Sequence, residues 1–230
     1  MATLLLIRHG QASYGQADYD KLSPLGFEQA RLVGRLLAEQ KIDALFSGPL
    51  RRQVETAASI RETAPAIVPA TVVPGLAEYP GFDMVRAFLP KLAEADPDLA
   101  MGVAKPTALG ERGFQTILTR WARDEWRAEG VEHVHAFTAR VTSALEAIIR
   151  GCASGDRIAV VTSAGPIGVA VGLVFGATPH HMVRTSAVIK NASITELKLR
   201  TRQFAWDPER VSLVGFNSIA HLPSGTHTEF

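Results

Sequence analysis

The stretch Leu4-Leu5-Leu6-Ile7-Arg8-His9-Gly10 sets the terms for the rest of the chain. Four consecutive apolar residues predict a strand buried on both faces, as in the middle of a parallel sheet, because a strand with one wet face alternates instead. Ligands of open α/β sheets bind outside the carboxyl ends of the strands. Arg8 and His9 would therefore stand at the mouth of the sheet, on its most rigid element. Gly10 permits a sharp turn there and the close approach of a ligand to the backbone. The residue types are informative in themselves. A guanidinium offers a planar fork of donors that matches phosphate oxygens and stays charged. A neutral imidazole can attack phosphorus directly, which splits one hard transfer into two easier ones.

Working outward, residues 11–21 hold Ser13, Tyr14, Gly15, Asp18 and Asp20 without a period, and read as a loop over the mouth of the sheet. Ser23-Pro24 has the form of an N-cap followed by proline at the first helical position. Leu25, Gln29, Leu32, Val33, Leu36 and Leu37 then give one helical face, with Arg31, Arg35 and Glu39 turned outward. Short strands are expected at 42–46 and 70–73, with a helix at 50–62 between them that stops near Pro65. Residues 79–130 differ in texture. Pro80, Pro90, Pro97 and Pro106 would break this region into short pieces, and it reads as a helical insertion covering one side of the site. Val134, Phe137, Val141, Leu145, Ile148 and Ile149 mark a strong amphipathic helix, ended by Gly151 and Gly155. A strand follows at 157–162. Gly165-Pro166 opens a helix in which Gly168, Gly172 and Gly176 recur every fourth residue, a spacing that would let it lie close on the sheet. Strands at 193–199 and 211–216 form a hairpin with a long turn, and the tail from Ser224 to Phe230 reads as frayed. Early strands alternating with helices, then a hairpin, predict an α/β fold with a mostly parallel sheet.

Four further segments extend the opening motif. After the second strand comes Ser47-Gly48-Pro49-Leu50-Arg51-Arg52-Gln53-Val54-Glu55-Thr56-Ala57; then Leu76-Ala77-Glu78-Tyr79-Pro80-Gly81; then Val161-Thr162-Ser163-Ala164-Gly165; and finally Asn191-Ala192-Ser193 with Asn217-Ser218-Ile219-Ala220-His221. Together with Arg8-His9-Gly10 they resemble the histidine phosphatase superfamily, the phosphoglycerate mutase-like proteins. The resemblance implies a three-layer α/β/α fold over a single domain, 1–230, with 79–130 as the helical insertion. It implies that His9 is the residue phosphorylated, that Arg8 and Arg52 bind the phosphoryl group, and that Glu78 donates a proton to the leaving group. Asp83 is the alternative acid. Arg51 would point elsewhere, and Glu55 reads as a solvated helix carboxylate. The position of Arg52 suits its role, since free N–H groups and the dipole at a helix start favour an anion. A carboxyl group near a phosphate dianion has its pKa raised, which suits Glu78 as a general acid. The chain departs from the family pattern in the inserted Gly48, in Gln53 for alanine, in Glu55 for glutamine, and most of all in Ser163, which stands where the family has its second histidine. Ser163 would then donate a neutral hydrogen bond to phosphate, and His221 reads as a structural histidine.

The resemblance therefore implies a phosphomonoester hydrolase or related phosphotransferase acting on a small phosphorylated metabolite, without metal or cofactor. A phosphoglycerate mutase-type transfer and a catalytically weakened phosphate-binding protein are the alternatives. With 230 residues, 47% hydrophobic and 20% charged, and a net charge of +1, the chain has an ordinary globular composition. No basic run suggests nucleic acid and no segment suggests a membrane partner. The lone Cys152 fits a reducing cytoplasm and reads as a small buried hydrophobe rather than a catalytic thiol. His133-x-His135 and His180-His181 lack the carboxylate or cysteine company of a metal site. Ser163 follows a strand, as a hydrolase nucleophile would, but Val161 occupies the first glycine position of that motif.

Overall fold

The computed structural model describes residues 1–13, 18–103, 105 and 107–229. The expected loop over the sheet mouth, 11–21, falls partly outside these, at residues 14–17. The first strand, β1 (Ala2–Arg8), is buried from Ala2 to Ile7. Its neighbours explain why. It pairs in parallel with β4 (Arg157–Thr162) on one side and antiparallel with β5 (Ile194–Leu199) on the other. The six-stranded sheet is completed by β2 (Ala44–Ser47), β3 (Thr71–Val72) and β6 (Val211–Ser218), in the order β3-β2-β4-β1-β5-β6. Only β5 runs against the rest.

Side chains alternate between the two faces of the sheet. Leu5, Ile7, Ala159 and Val161 face one helical layer, α1 (Pro24–Ala38) and α2 (Arg51–Thr63), through Val33, Leu37, Ala57 and Ile60. Leu4, Leu6, Ile158 and Val160 face the other layer, which holds α6 (Val134–Arg150) and α7 (Ala164–Val174). The fold is thus three-layer α/β/α. The chain leaves β1 on one face and returns to β4 from the other, so a crevice opens at the carboxyl ends of β1, β2 and β4.

Capping proceeds as the composition dictates. Ser23 accepts from the Gly26 N–H at 3.0 Å, with Pro24 at the first position of α1. Between β3 and α6 the chain forms a single 3₁₀ turn (Pro74–Leu76) and then α3 (Gly81–Ala95), α4 (Pro97–Gly102) and α5 (Ala108–Ala122). Pro90 does not break α3 as expected. It sits exposed, and Met84, Phe88 and Leu92 bury on either side at four-residue spacing, so packing outweighs the missing hydrogen bond.

Three other expectations need correction. An eighth helix, α8 (Pro179–Ser186), was not anticipated, although Thr178-Pro179 repeats the cap signature of Ser23-Pro24. The glycine row of α7 serves this helix rather than the sheet: a Cβ at Gly168 would lie 2.4 Å from the Met182 carbonyl oxygen, and one at Gly172 would lie 2.3 Å from the Met182 side chain. The tail is docked, not frayed. Asn191 N–H donates to the Thr228 carbonyl at 2.9 Å, and the Gln29 amide donates to the Thr226 carbonyl at 2.7 Å. No described helix is long and apolar enough to cross a membrane.

Candidate active site

Backbone pairing brings the first two site segments together. The His9 N–H donates to the Thr162 carbonyl at 2.8 Å, so His9 and Ser163 each lie one step beyond neighbouring parallel strands. The His9 ring is held at both nitrogens. Nδ1 lies 2.7 Å from the Gly10 carbonyl, which can only accept, so Nδ1 carries the hydrogen. Nε2 is then the lone-pair nitrogen, and the Arg52 Nε–H donates to it at 3.0 Å. Burial, together with the positive charges of Arg52 and Arg8, holds the His9 pKa well below that of an ordinary histidine. The ring is neutral, in a fixed tautomer and with one nucleophilic nitrogen. Gly10 allows a close approach, though by another backbone rather than a ligand: a Cβ there would lie 2.3 Å from the Gly26 carbonyl of α1.

Arg52 stands in the first turn of α2, on the buried face with Gln53 and Thr56. Its Nη1 donates to Asp20 at 2.5 Å, and its guanidinium lies 5.6 Å from the ring centre of Tyr19. Asp20 also accepts from the Arg51 N–H at 2.8 Å, so its carboxylate occupies the anion-favouring start of α2. Arg51 itself turns outward to Asp18 and Glu55. Glu55 is not simply solvated. It also accepts from the Leu22 N–H at 2.8 Å, and so ties the Asp18–Leu22 segment to α2.

Arg8 reaches the opposite side of the mouth, where Nη1 donates to the Ile189 carbonyl. Its Nε is buried without a partner among the described residues. Burial lowers the Arg8 pKa, partly offset by Glu78.

Glu78 lies within electrostatic reach of both arginines. Its carboxyl accepts from the Tyr79 N–H and, at the start of α7, from the Gly165 N–H, both at 3.0 Å. Burial nonetheless raises its pKa above 4.5, against the pull of those N–H groups and the arginines. Two anchors fix this segment. Tyr79 packs with its ring centre 5.6 Å from that of Trp121 and 5.7 Å from that of Phe137. Arg140 of α6 donates to the Gly75 and Ala77 carbonyls, each at 2.9 Å. Asp83, the alternative acid, is exposed beside Arg86 and makes no contact with this group.

Ser163 is fully buried and accepts from the Gln53 amide at 2.8 Å. Three departures from the expected pattern therefore meet in space, because a Cβ at Gly48 would lie 2.2 Å from Gln53 Oε1. His221 is bonded to the Ala192 carbonyl at 3.0 Å, in keeping with a structural role. Cys152 is half-buried, and burial pushes its thiol up to about 11. Among the described residues no group of histidine, cysteine and carboxylate side chains could hold a metal.

The model of the histidine phosphatase superfamily (branch 1) matches residues 4–100 and 87–209. The chain belongs to that superfamily. Over 66 residues the chain is 44% identical to the 2,3-bisphosphoglycerate-dependent phosphoglycerate mutase of Thermobifida fusca, covering 25% of this chain and 26% of that one. The chain spans only 24% to 34% of the length of the curated relatives it matches. Likeness of fold extends much further. A phosphoserine phosphatase from Entamoeba histolytica, solved with phosphoserine, superposes with a TM-score of 0.64 at 18% identity, covering 97% of this chain and all of that one. A mycobacterial glucosyl-3-phosphoglycerate phosphatase gives 0.64 at 21% identity, covering 94% and 98%.

Sequence reading singled out His9, Arg8, Arg52, Glu78 and Ser163, and the fold gathers all five around one sheet mouth. It missed Asp20, Tyr19, Tyr79 and Arg140. It noted Gln53 only as a departure. Gln53 was detectable as a buried polar residue, since it shares the inward face of α2 with Thr56 and Ile60 at helical spacing.

Proposed function

We propose that this histidine phosphatase hydrolyses small phosphomonoesters through a phosphohistidine at His9. The observation that supports this most is the fixed ring: Nδ1 on the Gly10 carbonyl and Nε2 facing a guanidinium. Nε2 carries the ring's one lone pair, which Arg52 Nε–H holds; a phosphoryl group that draws the guanidinium onto its own oxygens would take that place against the lone pair, which is the geometry direct displacement needs. His9 Nε2 forms a bond to phosphorus as the ester P–O bond breaks, and the leaving oxygen takes the proton of Glu78. Water then attacks phosphorus, gives its proton to the Glu78 carboxylate, and displaces Nε2, releasing phosphate. Arg8 Nε, a buried donor, is available to a phosphoryl oxygen, as is Ser163. The chemistry as written calls on no metal and no cofactor.

The chain would act as one domain over 1–230, with 79–130 covering the site, in the reducing cytoplasm that its free Cys152 suits. A serine at 163 is an uncharged donor, and this favours slow turnover over the rates a cationic donor would give. Assay with 4-nitrophenyl phosphate tests the reading. Hydrolysis with stoichiometric inhibition by orthovanadate is expected. Binding of phosphate without turnover would instead make the chain a phosphate-binding protein, and transfer to an acceptor faster than to water would make it a mutase.

A further inference from the structure

We propose that Gln53 is a positioning residue for phosphoryl transfer, holding the Ser163 hydroxyl so that its hydrogen points at the phosphoryl group on His9. The inference rests on the hydrolytic reading above and adds a residue to it.

The Gln53 side chain is fully buried and its amide has only one permitted sense. Oε1 accepts from the Leu50 N–H at 3.0 Å, a group that can only donate. Nε2 lies 3.3 Å from the Leu76 carbonyl, a group that can only accept. With the amide so locked, the second Nε2 hydrogen goes to Ser163 Oγ at 2.8 Å. Ser163 must therefore accept from that direction, and its own hydrogen is turned away from Gln53. Among the described residues no acceptor takes this hydrogen, although Ser163 is fully buried. Nor does it cap α7, which begins at the next residue.

What lies in the other direction follows from the strand register. Arg8 pairs with Thr162, so His9 and Ser163 project from the same face of adjacent strands, toward α2. Consecutive residues of α2 then serve the pair: Arg52 donates to His9 and Gln53 donates to Ser163. A hydroxyl aimed in advance at developing charge costs no reorganisation during the reaction, and such donors contribute roughly 10²–10³ in turnover. Left to itself, a serine hydroxyl rotates among three staggered positions and can bond to backbone carbonyls nearby.

The test compares inhibition by orthovanadate, which mimics the five-coordinate transition state, with inhibition by inorganic phosphate during 4-nitrophenyl phosphate hydrolysis. Gln53→Met keeps the volume and removes the amide, Ser163→Ala removes the hydroxyl, and the double variant closes the cycle. Each single change should weaken vanadate by about 10²-fold and phosphate by less than about threefold, because a ground-state anion gains little from this donor. The double variant should be no worse than either single one, since Gln53 acts through Ser163. Should Gln53→Met not fold, Gln53→Glu keeps the length and the Leu50 contact but offers Ser163 an acceptor. It should turn the hydroxyl around and give the same selective loss. Parallel weakening of both inhibitors would mean Gln53 is merely structural, and multiplicative losses in the double variant would mean the two residues act independently; either overturns the inference alone. If the natural protein neither hydrolyses the ester nor binds vanadate, the hydrolytic reading falls and takes this one with it.

Discussion

His9 owes its chemistry to three neighbours rather than to its own side chain. The Gly10 carbonyl fixes the tautomer, while burial, joined by the positive charges of Arg52 and Arg8, keeps the ring neutral. Two predictions belong at this scale. Arg52 is buried beside His9 whereas Arg51 is exposed beside Asp18 and Glu55. Each charge-assisted hydrogen bond is worth about 1.5–3 kcal/mol, and an exposed pair less than about 1 kcal/mol. Isothermal titration with inorganic phosphate should therefore show a loss of at least about tenfold for Arg52→Ala and little change for Arg51→Ala. Glu78 is the second case. A general acid must carry its proton, so turnover should fall as pH rises through its raised pKa. Glu78→Gln should remove that limb and slow alkyl phosphates by roughly 10²–10⁴, with a smaller effect on 4-nitrophenyl phosphate, whose phenolate leaves unaided. Stability responds with a definite sign. Between 4.5 and the raised value the folded chain keeps a proton that the unfolded chain loses, so stability falls as pH rises through that window. Urea midpoints of Glu78→Gln should match the natural protein below that window and exceed it above. The five residues that the fold gathers at the sheet mouth, Arg8, His9, Arg52, Glu78 and Ser163, were legible as residue types after strands or in motif segments, and Gln53 was not. Their partners were not, because Asp20, Tyr79 and Arg140 act through contacts that only the fold creates.

At the scale of elements, α7 and α8 show how backbone proximity governs sequence. Gly168 faces a backbone carbonyl of α8, and Gly172 faces the Met182 side chain at Cγ, close to where it leaves the backbone. Gly168→Ala must push the helices apart, at a cost of about 1–3 kcal/mol for overpacking, against a gain of about 1 kcal/mol in helix propensity. Gly172→Ala can be met by turning Met182 about χ1, which moves Cγ but not Cβ, so it should cost less than Gly168→Ala. Urea denaturation of the two variants checks the ordering; equal effects would mean α8 sits further from α7 than the contact at Met182 implies. The glycine row was visible in sequence, but its partner was misassigned to the sheet because α8 had not been recognised. Proline rules failed in the other direction at Pro90, where a buried row of Met84, Phe88 and Leu92 carries the helix past the break. Both misreadings are cases of tertiary packing overriding a local signal.

Across the whole molecule, the strand order places the ends of β1, β4 and β2 side by side, although they are far apart in sequence. Apolar runs at Leu4–Ile7 and Ile158–Val161 announced buried parallel strands, and the late antiparallel hairpin was legible from alternation. The docked tail was not. Thr228 is polar and carries no period, yet its carbonyl accepts from Asn191, whose neighbour Ala192 N–H donates to the His9 carbonyl at 3.1 Å. Thr228 and Asn191 thus steady the backbone of His9. The account as a whole turns on covalent chemistry at His9 Nε2. Rapid quench of the protein into alkaline detergent during turnover of a phosphomonoester, followed by peptide mapping kept at alkaline pH, measures this directly. The account predicts one acid-labile phosphoryl group on the peptide containing His9, absent in His9→Ala along with turnover. A His9→Ala protein that still hydrolyses the ester at a comparable rate, or a phosphoryl group mapped to another residue, would contradict it.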